Sequence, residues 1–162
     1  VKQVAVQKIY ISPGHNFFGH YGKGAGKNET VSVKEAVCRA GRGIEGDRFF
    51  EYKDNYRGQI TFFAEEVYDN LCAALQIYDR TPEVFRRNAI TAGVDLNGLI
   101  GKKFRLQGIL FEGTQECSPC LWMNEAFGAG AEDFLKGQGG LRARILEDGV
   151  LRLGAAEVVV VA

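Results

Sequence analysis

The segment Glu116-Cys117-Ser118-Pro119-Cys120-Leu121-Trp122 sets two thiols around a serine and a proline. A thiolate attacks electrophilic sulfur and ligates soft metals. Pro119 suits the first position of a helix and Ser118 its cap, so the spacing predicts Cys120 in a first helical turn. Unpaired N–H groups there favour an anion, which makes Cys120 the expected reactive thiol and leaves Cys117 just outside the helix. Three chemistries share this spacing. A thioredoxin-like redox pair is one, although no proline follows Pro119 to stand beside it. A zinc site is the second, with His15 and His20 as the remaining ligands. The third is a single thiolate, Cys120, that binds sulfur or a soft metal.

Basic and polar residues form the other chemical feature. Arg86-Arg87-Asn88 precedes one strand-like stretch, Lys102-Lys103 precedes another, and Arg142 and Arg144 alternate on a third. Asp47 and Arg48 end the glycine-flanked loop Arg42-Gly43-Ile44-Glu45-Gly46. Scattered, such charges are solvated strand ends. Gathered round one mouth, Arg48, Arg87 and Asn88 with glycine backbone suit an anion such as phosphate. These three residues and Cys120 are therefore expected to converge on one cavity.

The elements that must position them are short. Val4–Ile11 reads as a strand closed by Ser12-Pro13-Gly14, and a polar, glycine-rich stretch to Thr30 holds both histidines. Val31–Ala40 reads as a second strand and Gln59–Phe63 as a third. Ala64, Val67, Tyr68, Leu71, Cys72 and Leu75 follow helical spacing, with Cys72 on the apolar face as a core residue. Cys38, in the second strand, reads the same way. Thr81-Pro82-Glu83 starts a short helical turn, and Ala89–Gly93, Lys103–Leu106 and Ile109–Gly113 are strand-like. Asp148-Gly149 predicts a hairpin joining Leu141–Leu146 to Val150–Leu153, and Glu157–Val161 closes the sheet. With no βαβ alternation, the pattern predicts a mostly antiparallel β-barrel with a few helices.

Composition agrees with one ordinary domain over residues 1–162. Twenty Lys and Arg balance twenty Asp and Glu, so no global excess of charge points to nucleic acid. Hydrophobic residues are 46% and charged residues 25%, a globular mixture. Four cysteines are too few for a disulfide scaffold. No apolar run is long enough to span a membrane, and no signal-peptide pattern opens the chain, so a cytoplasmic protein is the expectation. Twenty-one glycines against three prolines point to tight turns and close backbone approaches.

Taken in order, these motifs resemble the MOSC family, named for the C-terminal part of molybdenum cofactor sulfurases. The resemblance rests on Gly43–Phe49, Phe85–Thr91, Gly93–Arg105, Leu110–Thr114, the Cys117–Cys120 motif and Gly140–Leu146 with Leu151–Gly154, and is strongest over 31–161. The Ser12–His20 loop is similar to that of small stand-alone bacterial members. The resemblance implies a barrel with a central pocket and an association with molybdenum cofactor (molybdopterin) or with sulfur transfer. In cofactor-holding members a cysteine of this motif ligates the metal, which maps to Cys120. In the sulfurase group the cysteine carries sulfur as a persulfide taken from a small-molecule donor. Arg48, Arg87, Asn88 and Cys117 become candidate cofactor contacts. Pyridoxal phosphate binding attaches to the family only at its broadest level. Reduction of N-hydroxylated compounds, as in the amidoxime-reducing relatives, implies a separate electron-transfer or molybdoenzyme partner. A binding module without chemistry is the contrasting expectation.

Overall fold

A computed structural model describes residues 2–13 and 30–161. His15 and His20, with most of the glycine-rich stretch, lie outside the described residues. The strands are β1 (Lys2–Ile11), β2 (Val31–Val33), β3 (Glu35–Arg39), β4 (Gly43–Ile44), β5 (Ile60–Ala64), β6 (Ala89–Ala92), β7 (Lys103–Leu106), β8 (Ile109–Glu116), β9 (Leu141–Ile145), β10 (Gly149–Arg152) and β11 (Gly154–Val161). Helices α1 (Glu65–Leu75), α2 (Trp122–Ala126) and α3 (Ala131–Leu135) accompany them, with 3-10 turns at Pro82–Phe85 and Asn97–Leu99. No described helix is long and apolar enough to cross a membrane.

Seven strands close into a barrel in the order β11-β7-β8-β9-β5-β6-β1, with β1 returning to β11 and β2 added outside β1. The predicted barrel is present, and its interior is full. Phe62, Phe104 and Phe111 meet inside it, with ring centroids 5.5 to 6.1 Å apart. A barrel of this strand number has room for side chains and little else. The expected central pocket is therefore not on the barrel axis, which side chains fill.

Alternation explains which side chains enter. Val4 and Val6 point inward from β1, a register shift before Lys8 resets the phase, and Ile9 enters next. The small sheet β10-β3-β4 covers the barrel end where β9 stops, adding Ala36, Cys38, Ile44 and Leu151 to the same core. Gly41 N–H donates to the Ile145 carbonyl there, at 2.8 Å. Burial pushes the Cys38 thiol up to about 12, the state of an inert core thiol.

On the outer face, Tyr10, Phe63 and Ile90 meet Leu71 and Cys72 of α1, Phe85, and Met123, Phe127 and Leu135 of the later helices. This two-sided covering makes Ile60-Thr61-Phe62-Phe63 buried throughout. Such continuous burial belongs to parallel strands, and β5 does pair with β6 in parallel. One βαβ unit is thus set into an otherwise antiparallel barrel, where none was expected. Parallel neighbours need a crossover, and α1 with the Pro82–Phe85 turn supplies it.

Two other expectations change. Val31–Ala40 divides at Lys34, because β2 pairs with β1 while β3 joins the small sheet. The Asp148-Gly149 turn makes no hairpin: β9 pairs with β5 and β8, and β10 crosses to β3. Asp148 Oδ1 accepts the Ala40 N–H at 2.7 Å, which ties the turn to the far side of β3.

Candidate functional site

The loop after β4 brings Asp47 and Arg48 against the end of β1. Asp47 is buried; its Oδ1 accepts Ser12 N–H at 2.9 Å and its Oδ2 accepts Phe49 N–H at 3.3 Å. Arg48 N–H donates to the Ser12 carbonyl at 2.6 Å, and an Arg48 Nη donates to the Arg86 carbonyl at 3.2 Å. Its guanidinium stacks over Phe49, 4.6 Å from the ring centroid. Arg86 in turn donates to the Ser12 hydroxyl. Ser12 therefore stands between the buried carboxylate and the buried Arg86.

Arg87 is a clasp. Its Nε donates to Gly139 O at 3.0 Å, one Nη to Phe85 O at 3.1 Å, and the other to Cys117 O at 3.2 Å. The chain before β6, the chain before β9 and the cysteine segment are joined by this one side chain. Two glycines permit the approach. A Cβ on Gly139 would lie 2.2 Å from Cys117 O, and one on Gly140, at φ +113°, would lie 2.4 Å from Phe62 O.

Asn88 is committed to the sheet. Its Oδ1 accepts Thr61 N–H at 2.9 Å and the Thr61 hydroxyl at 3.2 Å, and its Nδ2 donates to Tyr10 O at 3.1 Å. The amide thus carries the pairing of β1, β6 and β5 one residue past the start of β6.

Burial lowers the Arg48 pKa, and the neighbouring Arg87 lowers it further against the opposing pull of Asp47. Burial, then the Arg48 charge, lowers Arg86 to about 10. Asp47 is the single buried carboxylate beside these arginines among the described residues. Tyr56 belongs here as well. Burial raises its pKa, while Arg142 and Arg48 pull the other way and Cys117 adds to the rise. Gly58 separates it from Arg142: an added Cβ would be 3.2 Å from the tyrosine ring and 3.4 Å from Arg142 Cδ.

The cysteine segment departs from expectation at its helix. Cys117 N–H donates to Gly140 O at 2.7 Å, so β8–β9 pairing continues beyond Glu116. Helix α2 then begins at Trp122 with Leu121 at its N-cap, and Cys120 precedes it. The Cys120 carbonyl still accepts Met123 N–H at 2.9 Å, but the thiol is not in a helical first turn. The difference between the two thiols is burial. Cys117 is 4% exposed, whereas Cys120 is half-buried, and both are free. Among the described residues no group of His, Cys, Asp or Glu gathers as a metal cage.

The structure brings Arg48 and Arg87 to the Cys117 end of the cysteine segment, while the Asn88 amide turns to Thr61 and Tyr10. From the contact of Arg87 with Cys117 O, the chain to Cys120 spans at most about 10–11 Å. The residues sequence reasoning underused are Arg86, visible in the Arg86-Arg87-Asn88 triplet, and Tyr56, which carries no local signal. A separate cavity of about 440 Å³ lies nearby, with Gly140 in its wall.

The comparisons follow the same architecture. The YuaD protein of Bacillus subtilis superposes with a TM-score of 0.76 at 18% identity, covering 99% of this chain and 97% of that one. YiiM from Geobacillus stearothermophilus gives 0.66 at 16% identity, covering 98% of this chain and 75% of that one. YiiM from Escherichia coli gives 0.64 at 18% identity, covering all of this chain and 71% of that one. No curated protein sequence matches. The profile of the MOSC domain matches residues 50–158, which span β5 to β11 and include the arginine clasp and the cysteine motif. The chain belongs to the MOSC domain family.

Proposed function

We propose that the protein binds molybdenum cofactor, with its phosphate at Arg48 and Arg86 and with the Cys120 thiol as soft donor to the metal. The carrying observation is the buried Arg86 and the half-buried Arg48, whose guanidiniums lie close to one another beside buried Asp47. Guanidiniums gathered in this way offer the fork of donors that suits the charged oxygens of a phosphate. The residues fit the group. Half-buried Cys120 offers a soft, reachable sulfur. Arg87 and Asn88 work as positioning residues in this reading, since their polar atoms hold Cys117 O, Gly139 O and Tyr10 O. Cys117 serves through its backbone.

When bound, the group supplies atom-transfer redox chemistry at its metal. The chain's own part is to bind the phosphate, keep water from Arg86 and present the thiol. The same thiol suits sulfur carriage. A Cys120 thiolate attacks the outer sulfur of a donor persulfide, an S–S bond forms on Cys120, and the donor leaves as its thiolate.

The test is molybdenum and pterin analysis of protein purified anaerobically from a molybdenum-replete host, beside Cys120→Ser. Stoichiometric molybdenum and pterin in the wild type, with molybdenum lost in the variant, is the expected result. Wild-type protein free of both, with no persulfide on Cys120, would make this a binding module that keeps the fold without the chemistry.

A further inference from the structure

A second site lies where β5 and β6 end. Because β1 and β9 run antiparallel to them, Lys2 and Gly140 begin at the same barrel mouth as Ala64 and Gly93, and all four line the cavity of about 440 Å³. That volume is in the range of small-molecule pockets.

The wall has a consistent chemistry. Its floor is apolar, from Val67, Val94 and Leu96. Each of its amide side chains has one N–H committed: Asn97 Nδ2 donates to Gly137 O at 2.8 Å, and Gln138 Nε2 to Phe134 O at 2.8 Å. Their oxygens remain as acceptors, beside one further N–H on each. Glu66 Oε2 is steered by Gly93 N–H at 2.7 Å, and Asp95 adds a second carboxylate. Lys2 is the one cation on this wall among the described residues.

An independent observation comes from Thr91, 2% exposed, whose hydroxyl has no hydrogen-bond partner among the described residues. It pairs with Ala64 and Val6, which face the barrel interior. Buried hydroxyls are rarely left unpaired, and this one lies beside Ala64, which lines the cavity.

We propose that this mouth is a ligand site for a small protonated amine with an apolar body. The ammonium lies among Glu66, Asp95 and the Asn97 and Gln138 oxygens, and the body rests on the apolar floor. Two carboxylates and two amide oxygens, against the single charge of Lys2, favour a cation over an alcohol or a carboxylate. The site is distinct from the arginine cluster but joined to it through Gly140, whose carbonyl holds Cys117 N–H.

The experiment titrates the whole chain with n-hexylammonium, 1-hexanol and hexanoate at neutral pH and fixed ionic strength, followed by amide NMR. Saturable shifts at Gly93, Asp95, Gln138 and Gly140 are expected, with the ammonium binding about tenfold or more tighter than the alcohol and hexanoate not binding. Lys2→Ala should tighten the ammonium. The pair Glu66→Gln with Asp95→Asn should remove its preference while the spectrum stays folded, since Gln can still accept from Gly93. Equal binding of all three probes, shifts outside the mouth, or a preference that survives the double variant would overturn the proposal. Cys120→Ser should bind the probe as wild type does, so the outcome is independent of the cofactor reading.

Discussion

The barrel interior and the arginine cluster are both buried, yet they are opposite kinds of interior. Inside the barrel, Phe62, Phe104 and Phe111 fill space with no polar atom to satisfy. Beside it, Arg86 and Arg87 are buried and Arg48 half-buried, with buried Asp47 next to them. The first region stabilises the fold. The second draws charged groups with perturbed titration into the interior, and such groups cluster at functional sites.

Truncation should separate them most sharply. Phe111→Ala should lose about 3–5 kcal/mol in a urea melt, because it opens a cavity at the barrel centre. A loss below about 1 kcal/mol would mean that the centre can collapse or is not closely packed. Arg87→Met comes next. It leaves three backbone carbonyls without their donor and should cost about 2–4 kcal/mol, with increased protease cutting near Cys117. Unchanged stability would show that Arg87 is no clasp.

Arg48→Met should behave differently from both. Its effect on basal stability should stay within about 1 kcal/mol, since a half-buried cation gives way to an apolar side chain. What it should lose is most of the rise in Tm that inorganic phosphate gives the wild type at constant ionic strength. A phosphate response that survives the change would place the anion elsewhere.

The pH effect is smaller and has a defined sign. Arg86 is lowered to about 10 in the folded chain, so above that pH the unfolded chain binds the extra proton. Folded stability therefore gains as pH rises from about 10 toward the ordinary arginine value, and the cost is fully present below. The stability of wild type relative to Arg86→Gln should increase over that window. A flat difference would show that Arg86 is well solvated or fully paired.

Local patterns in the sequence announced elements better than partners. The Ala64–Leu75 spacing gave α1, since helical periodicity is a local property. Asp148-Gly149 announced a turn correctly, but whether the next strand returns to β9 or crosses to β3 depends on groups far along the chain, such as Ala40. The continuous run Ile60–Phe63 already carried the mark of a strand covered on both faces. Reading it as antiparallel missed the crossover. At the site, the ordered motifs pointed to Arg48, Arg87, Asn88 and the cysteines, whereas the duties of Arg87 and Asn88 emerge only from their carbonyl partners. Cys120 lost its expected helix because pairing with Gly140, a nonlocal bond, extends the strand through Cys117.

The thiols offer a further sharpening. Iodoacetamide at neutral pH should label Cys120 first in the native protein, with Cys38 and Cys72 labelled only on unfolding. Labelling of Cys117 ahead of Cys120 would reverse their roles.

Native mass spectrometry of wild type, Arg48→Met and Cys120→Ser, purified side by side under anaerobic, molybdenum-replete conditions, tests the central claim most directly. The wild type should carry the added mass of a molybdenum-bearing pterin phosphate, Arg48→Met should lose most of it, and Cys120→Ser should retain pterin mass without the metal. Wild-type protein at its bare mass, or variants indistinguishable from it, would contradict the assignment of the arginine cluster and Cys120 to one cofactor site.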